Sequence, residues 1–246
     1  MNIPSLSPFD WISIAYSFLS LDTLRRLVKH WTSVWDEQVT ELDRFLIQRT
    51  ALFLLIPIGV LFHELGHVIA TWQVGGTVVE FQWRIFWGYI IPSGYFTAVE
   101  YWWIALSGNV VSIALGLIAL PAVVAIKKQV IKELLYSFAV VQLVYSLVFY
   151  PVFSFTGFEG DWVKIYDFSV RPYAQITLVI HVGILVGLWY VTSRRLLDPT
   201  KLRVQSDARA GEMIVDSSKD AIAHVSTADI SSADEDKDKH EECHDR

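Results

Sequence analysis

Hydrophobic residues gather in four runs, over about 51–72, 99–126, 134–155 and 174–192, separated by polar or glycine-bearing breaks. Each run has roughly twenty residues, enough helix at 1.5 Å per residue to cross a hydrocarbon core of about 30 Å. The pattern therefore predicts four transmembrane helices. Tyr101-Trp102-Trp103 and Tyr150-Pro151 lie near span ends, where aromatic residues anchor at the interface.

Between the first two runs the period changes. Gly75-Gly76 breaks the helix, and over Thr77 to Trp87 the residues Phe81, Trp83, Ile85 and Trp87 alternate with Glu80, Gln82, Arg84 and Phe86. A period of two predicts a strand. Tyr89 to Tyr95, with Pro92 and Gly94, supplies turn chemistry and a return strand, so a short membrane-associated β-hairpin is expected there.

The ends differ from the middle. In residues 1–50, Phe9, Trp11, Ile12, Ile14, Ala15, Phe18 and Leu19 recur at near-helical spacing, followed by Arg25, Arg26, Lys29, Arg44 and Arg49. The apolar stretch is too short to span, which predicts one or two amphipathic helices at the membrane interface. A soluble helical arm packed on the membrane domain fits the same pattern. From 194 to 246 a basic anchor, Arg194-Arg195, gives way to sequence rich in Ser, Asp, Glu, Ala and Lys. Such a segment buries too little apolar surface to offset chain ordering, so a disordered acidic tail is expected. The fold class is thus an all-α polytopic membrane protein, with its core over 51–193, one hairpin and a disordered tail.

Composition agrees. The 246 residues are 53% hydrophobic and include ten tryptophans, and the mean hydropathy is +0.38. The formal charge of −6 owes much to the C-terminal acid and points to no nucleic-acid partner. The single cysteine, Cys243, excludes an internal disulfide, and the start lacks the basic and small-residue regions of a cleavable signal peptide. Lys127, Lys128, Lys132, Arg194, Arg195 and the N-terminal basic group fall on one side of a four-span arrangement. The opposite loops hold only Arg84, Lys164 and Arg171. The positive-inside rule then places both termini in the cytoplasm.

The first span carries the chemistry, His63-Glu64-Leu65-Gly66-His67. A charged side chain at the centre of a membrane helix costs roughly 2.5–3.5 kcal/mol on insertion scales, so Glu64 needs a partner, a wet cavity or a task. His63 and His67, four apart, share a helix face and can share a metal ion. In zinc hydrolases with this spacing the histidines are ligands and the glutamate takes a proton from water and passes it to the leaving amine. Gly66 lets a helix or substrate backbone approach that face.

Phe62-His63-Glu64-Leu65-Gly66-His67 resembles the zinc motif of the site-2 protease family, the intramembrane metalloproteases. Gly75-Gly76 before a hairpin, a Gly-containing second span and an aspartate at the start of a later span extend the resemblance over residues 50 to about 192. The resemblance implies zinc, a lipid-embedded site, and a substrate that is a transmembrane helix of another membrane protein. It also implies an aspartate as third ligand, best matched by Asp161 in Gly160-Asp161-Trp162. Span order independently brings His67, the region of Asn109 and Asp161 to one side of the membrane; Glu159 and Asp167 are neighbours able to do the same work. Family members carry Gly-Pro and a later polar residue in the second span. Here Gly108 is kept, Asn109 stands in the proline place and Ser112 in the polar place, making Asn109 and Ser112 candidates to bind the substrate carbonyl or oxyanion, or to bond between helices.

His181, in the fourth span, is expected to make an interhelical hydrogen bond. His240, Cys243 and His244 form an irregular group in the acidic tail. No insert of domain size separates the spans, so the PDZ or CBS domains of many relatives are missing. The basic residues direct His67 and Asp161 toward the outer or luminal face, whereas well-known relatives hold zinc toward the cytoplasm. Two other function classes compete: a noncatalytic membrane client-binding protein on the same fold, and a metal transporter, which would need ligands along a path through both membrane halves. A strand over 81–87 able to pair with an unwound substrate would serve the protease.

Overall fold

The computed structural model describes residues 8–36, 39–156 and 160–194; the acidic tail expected after Arg194, with His240, Cys243 and His244, and also Glu159, lies outside them. The order is α1 (Pro8–Lys29), α2 (Trp31–Val34), α3 (Glu41–Thr50), α4 (Ile56–Gln73), β1 (Thr77–Trp83), β2 (Gly88–Ser93), α5 (Ala98–Ala125), α6 (Gln129–Val144), α7 (Tyr150–Phe155), α8 (Asp161–Ile165) and α9 (Tyr173–Ser193). Two π-turns, Ala51–Leu55 and Tyr145–Phe149, join α3 to α4 and α6 to α7 without a break. Four helical stretches are long and apolar enough to cross a membrane: Glu41–Gln73, Ala98–Ala125, Gln129–Phe155 and Tyr173–Ser193.

The first stretch begins ten residues earlier than the apolar run at 51 indicates. Thr40 and Asp43 form a capping box, in which the Thr40 amide donates to Asp43 Oδ2 at 2.8 Å and the Asp43 amide donates to Thr40 Oγ1 at 3.3 Å. That cap satisfies two otherwise orphaned N–H groups and starts the helix in polar sequence. Thr97 and Glu100 cap α5 in the same way.

The hairpin differs from its expected length. β1 ends at Trp83 rather than Trp87, because Ile85 takes a left-handed φ of 65° and Arg84 to Trp87 form the turn. The strands pair antiparallel, from Thr77 opposite Ser93 to Trp83 opposite Gly88, with an irregularity between Val78 and Glu80. The Trp83 indole donates to the Pro57 carbonyl at 3.0 Å, tying the hairpin to α4.

In α1 the usual pattern is inverted. Ser13, Tyr16 and Thr23 are buried against the protein, while Trp11, Phe18, Leu21 and Val28 are each at least 60% exposed. In water this outer stripe would be unfavourable; in lipid, polar side chains inward and apolar ones outward is the stable arrangement. Where one or two amphipathic helices are expected, the described residues between 8 and 50 form one 22-residue helix followed by the short α2 and α3.

The π-turns fix how helices meet. A π-turn inserts a residue and leaves carbonyls short of main-chain partners, which buried backbone cannot tolerate. Tyr16 Oη donates to the Leu52 carbonyl and Ser20 Oγ to that of Phe53 (2.7 Å), fastening α1 to the first π-turn. Asp22 and Arg49, 2.9 Å apart, add an ion pair between α1 and α3. On the second π-turn, the Leu147 carbonyl accepts from His181 Nε2 of α9 at 2.8 Å.

Close approach of α4 and α5 depends on two glycines. A Cβ on Gly66 would lie 2.9 Å from the Ser107 carbonyl oxygen and 3.0 Å from Gly108 Cα, so only glycine permits this helix contact. The short α8 is held by Trp162 and Ile165, both fully buried against Ala105 of α5, and by the Trp102 indole, which donates to the Ile165 carbonyl at 3.2 Å.

Candidate metal centre

Three donors converge where α4, α5 and α8 meet. His63 Nε2 and His67 Nε2 are 3.0 Å apart, and Asp161 Oδ2 is 3.0 Å from the first and 3.1 Å from the second. His63 and His67 come from successive turns of α4, and Asp161 is the first residue of α8. This group could hold a metal ion.

The donors fit a tetrahedral ion. Ligands about 2.0–2.1 Å from zinc stand roughly 3.3 Å from one another, close to the observed triangle. The tautomers also fit. His67 Nδ1 lies 2.6 Å from the Ile104 carbonyl, which can only accept, so Nδ1 carries the proton and Nε2 keeps its lone pair for the centre. His63 Nδ1 is 3.0 Å from Ser112 Oγ, a hydroxyl that holds the ring in place whichever of the two carries the shared proton.

Asp161 is clamped as firmly. Tyr150 Oη donates to Asp161 Oδ2 at 2.8 Å, the Asp161 amide donates to Tyr150 Oη at 3.3 Å, and Asn109 Nδ2 donates to Oδ2 at 3.4 Å. Without an ion, burial alone would raise the Asp161 carboxyl, but protonated imidazoles of His67 and His63 outweigh it and hold it well below the usual carboxylate range; a bound cation would take over that charge as the Nε2 protons leave. The aspartate therefore meets the centre ionised.

Asp167, the other described alternative ligand, is exposed and accepts from the Ser169 amide at 3.0 Å, away from the cluster. Asn109 and Ser112 each touch a ligand side chain, Asn109 on Asp161 and Ser112 on His63. Ser112 also lines a cavity beside the centre, whereas Asn109 is fully buried and lines neither of the two cavities there. His181 stays out of the cluster. Burial pushes the Tyr166 hydroxyl up to about 12, so it remains a donor, to His181 Nδ1, and Nε2–H turns to Leu147.

Gly108 makes the geometry possible. A Cβ there would press on the His67 imidazole and lie 2.8 Å from His63 Nε2. Ligand rings and the α5 backbone thus share one van der Waals layer.

Glu64 is 4% exposed and stands between two cavities. One, of about 120 Å³, is bounded by Phe9 and Ile12 of α1, Phe86 and Trp87 of the hairpin turn, and Phe153 of α7. The other, of about 150 Å³, is bounded by Asp161, Lys164, Tyr89 and Tyr101. Gly88, the first residue of β2, backs Glu64 so closely that a Cβ would lie 2.6 Å from Glu64 Cγ.

Two residues here carry no sequence motif. Tyr150 resembles any aromatic anchor at a span exit, and Gly88 any turn glycine. Only the π-turn at Tyr145–Phe149, which sets the angular position of Tyr150, and the return of β2 to α4 bring them to the centre.

Compared with known proteins, the chain matches no family model, no curated protein and no solved structure. The donor geometry itself carries the functional argument.

Proposed function

We propose that the protein is an intramembrane zinc metalloprotease that hydrolyses peptide bonds within or near transmembrane segments of other membrane proteins. The observation that carries this reading is the position of Glu64: a carboxylate beside a His63-His67-Asp161 donor set, opening on two cavities.

His63, His67 and Asp161 would hold the ion. Zinc bound there would polarise a scissile carbonyl and bring the pKa of water to about 7. Glu64 takes a proton from the attacking water as its oxygen bonds to the carbonyl carbon, and returns a proton to the amine nitrogen as the C–N bond breaks. Gly88 confines the Glu64 side chain, and the surrounding aromatic groups limit access of bulk water. Tyr150, Asn109 and Ser112 hold ligands in place.

The first cavity is too small for a helix about 10 Å across, so the substrate enters unwound. An unwound peptide needs main-chain partners. The segment best placed to supply them is β2, since Gly88, Tyr89, Ile90 and Pro92 border the second cavity beside Glu64, rather than residues 81–87.

Four apolar helices and the inverted α1 support a bilayer location. With both termini cytoplasmic, the centre opens toward the outer or luminal side. A transporter is disfavoured because, among the described residues, no second group of three His, Cys, Asp or Glu donors lies along a path. The test is Glu64→Gln in the full chain. Zinc content is expected to remain while cleavage of a transmembrane substrate is lost. Unaltered cleavage in that variant overturns the protease reading; loss of zinc on His63→Ala but not Asp161→Ala would correct the ligand set.

A further inference from the structure

The two cavities are chemically unlike, and three residues, Glu64, Gly88 and Tyr150, line both. A peptide crossing from one to the other passes the carboxylate that would activate water. On the α1 side the walls are mainly aromatic and aliphatic, with Phe9 and Ile12 facing Phe153. On the α8 side the wall carries an ammonium group, Lys164, which makes no ion pair among the described residues.

Charge at the centre sharpens this difference. A divalent cation would be balanced by Asp161 and Glu64, leaving Lys164 as the unbalanced charge of the second cavity. An acidic group is the complementary ligand. The first cavity, about 120 Å³ with mainly apolar walls in which Ser112, Gln142 and Ser146 are uncharged polar groups, takes one large apolar side chain and would force a charged one to give up its water.

Resting on the protease reading above, we infer that the substrate is a membrane segment cut at the border between its apolar run and an acidic flank. A large apolar side chain enters the α1-walled cavity, and a carboxylate side chain on the opposite side of the scissile bond faces Lys164. The site thus selects a boundary in the substrate rather than the middle of a uniformly apolar helix.

The test uses the zinc-loaded full chain in bilayer discs of zwitterionic lipid, with peptides carrying one apolar run and a flank bearing either Asp or Lys. Cut positions are mapped by mass spectrometry. The expected cuts have Leu or Phe on the apolar side, and the Asp flank is cleaved roughly fivefold faster than the Lys flank, the upper range for an exposed ion pair. Lys164→Glu is expected to reverse that preference. Ile12→Trp, which narrows the first cavity, is expected to shift cutting toward smaller apolar residues. The Glu64→Gln protein, which binds without cutting, is expected to show the same order of peptide affinities by fluorescence anisotropy.

Cleavage that depends on Glu64 but ignores flank charge, or a Lys164→Glu protein with the wild-type preference, overturns the inference and leaves the protease reading standing. A rate that instead follows the anionic lipid content of the discs also overturns it, assigning Lys164 to a headgroup. Failure of the wild type to cut any peptide, or cutting that persists in Glu64→Gln, overturns the protease reading and the inference with it.

Discussion

Tyr150 and Asp161 hold each other by two hydrogen bonds through one hydroxyl: Oη donates to Oδ2 at 2.8 Å and accepts from the aspartate's own amide at 3.3 Å. The exchange fixes both the carboxylate and the start of α8. Tyr150→Phe keeps the ring, which packs edge-on to His63 at a centroid distance of 5.5 Å, and removes both bonds. Zinc affinity, measured by competition with a chelator, is expected to fall about 10–100-fold, the range for groups that orient ligands. An unchanged affinity would show that the clamp is dispensable.

Gly88 and Glu64 allow metal binding and proton transfer to be separated. A Cβ at position 88 would come within 2.6 Å of Glu64 Cγ, 2.8 Å of the Gln82 carbonyl oxygen on β1 and 2.9 Å of Glu64 Oε1. Gly88→Ala is expected to lower the cleavage rate by about 10² or more, the scale of a displaced general base, while zinc stoichiometry by mass spectrometry stays at the wild-type value.

Gly108 and Gly66 should fail in different ways. Gly108→Ala directs a methyl group at both ligand imidazoles, so zinc binding is expected to be lost in a protein that still folds. Gly66→Ala forces α4 from α5 and is expected to destabilise the fold by about 1–3 kcal/mol, measured as a lower thermal midpoint with and without chelator.

The sidedness of the chain can be read from Cys243, the single cysteine of the sequence. With a cytoplasmic C-terminus, a membrane-impermeant thiol reagent is expected to label intact cells only after permeabilisation. Labelling of intact cells would invert the arrangement and turn the centre toward the cytoplasm.

The four long apolar helices were legible because length and hydropathy follow one physical demand, that of a helix able to cover a hydrocarbon core. Their beginnings were not. Thr40 and Asp43 cap a helix within polar sequence, and Arg44 and Arg49 look like a boundary until the π-turn at Ala51–Leu55 is seen to carry the helix through. Alternation likewise continues past the end of β1, since Ile85 and Trp87 keep the apolar rhythm while the backbone turns. At the centre, His63, Glu64 and His67 are visible as a local helical spacing, and Asp161 through span order together with the family resemblance. Tyr150 and Gly88 depend on contacts between elements far apart in the chain, for which a single sequence holds no periodic trace.

The π-turn at Ala51–Leu55 also decides which carbonyls of the helix can reach outward to a neighbour. A π-turn holds about one residue more than an α-helical turn, so removing one residue would restore regular winding there and close the backbone ladder without turning the flanking segments. The Leu52 and Phe53 carbonyls would be drawn into the helix's own ladder, and Tyr16 and Ser20 would lose the acceptors that fasten α1. The first cavity would lose the wall that Phe9 and Ile12 provide. One surplus residue in a helix is therefore what fastens the N-terminal helix beside a centre that it does not itself ligate.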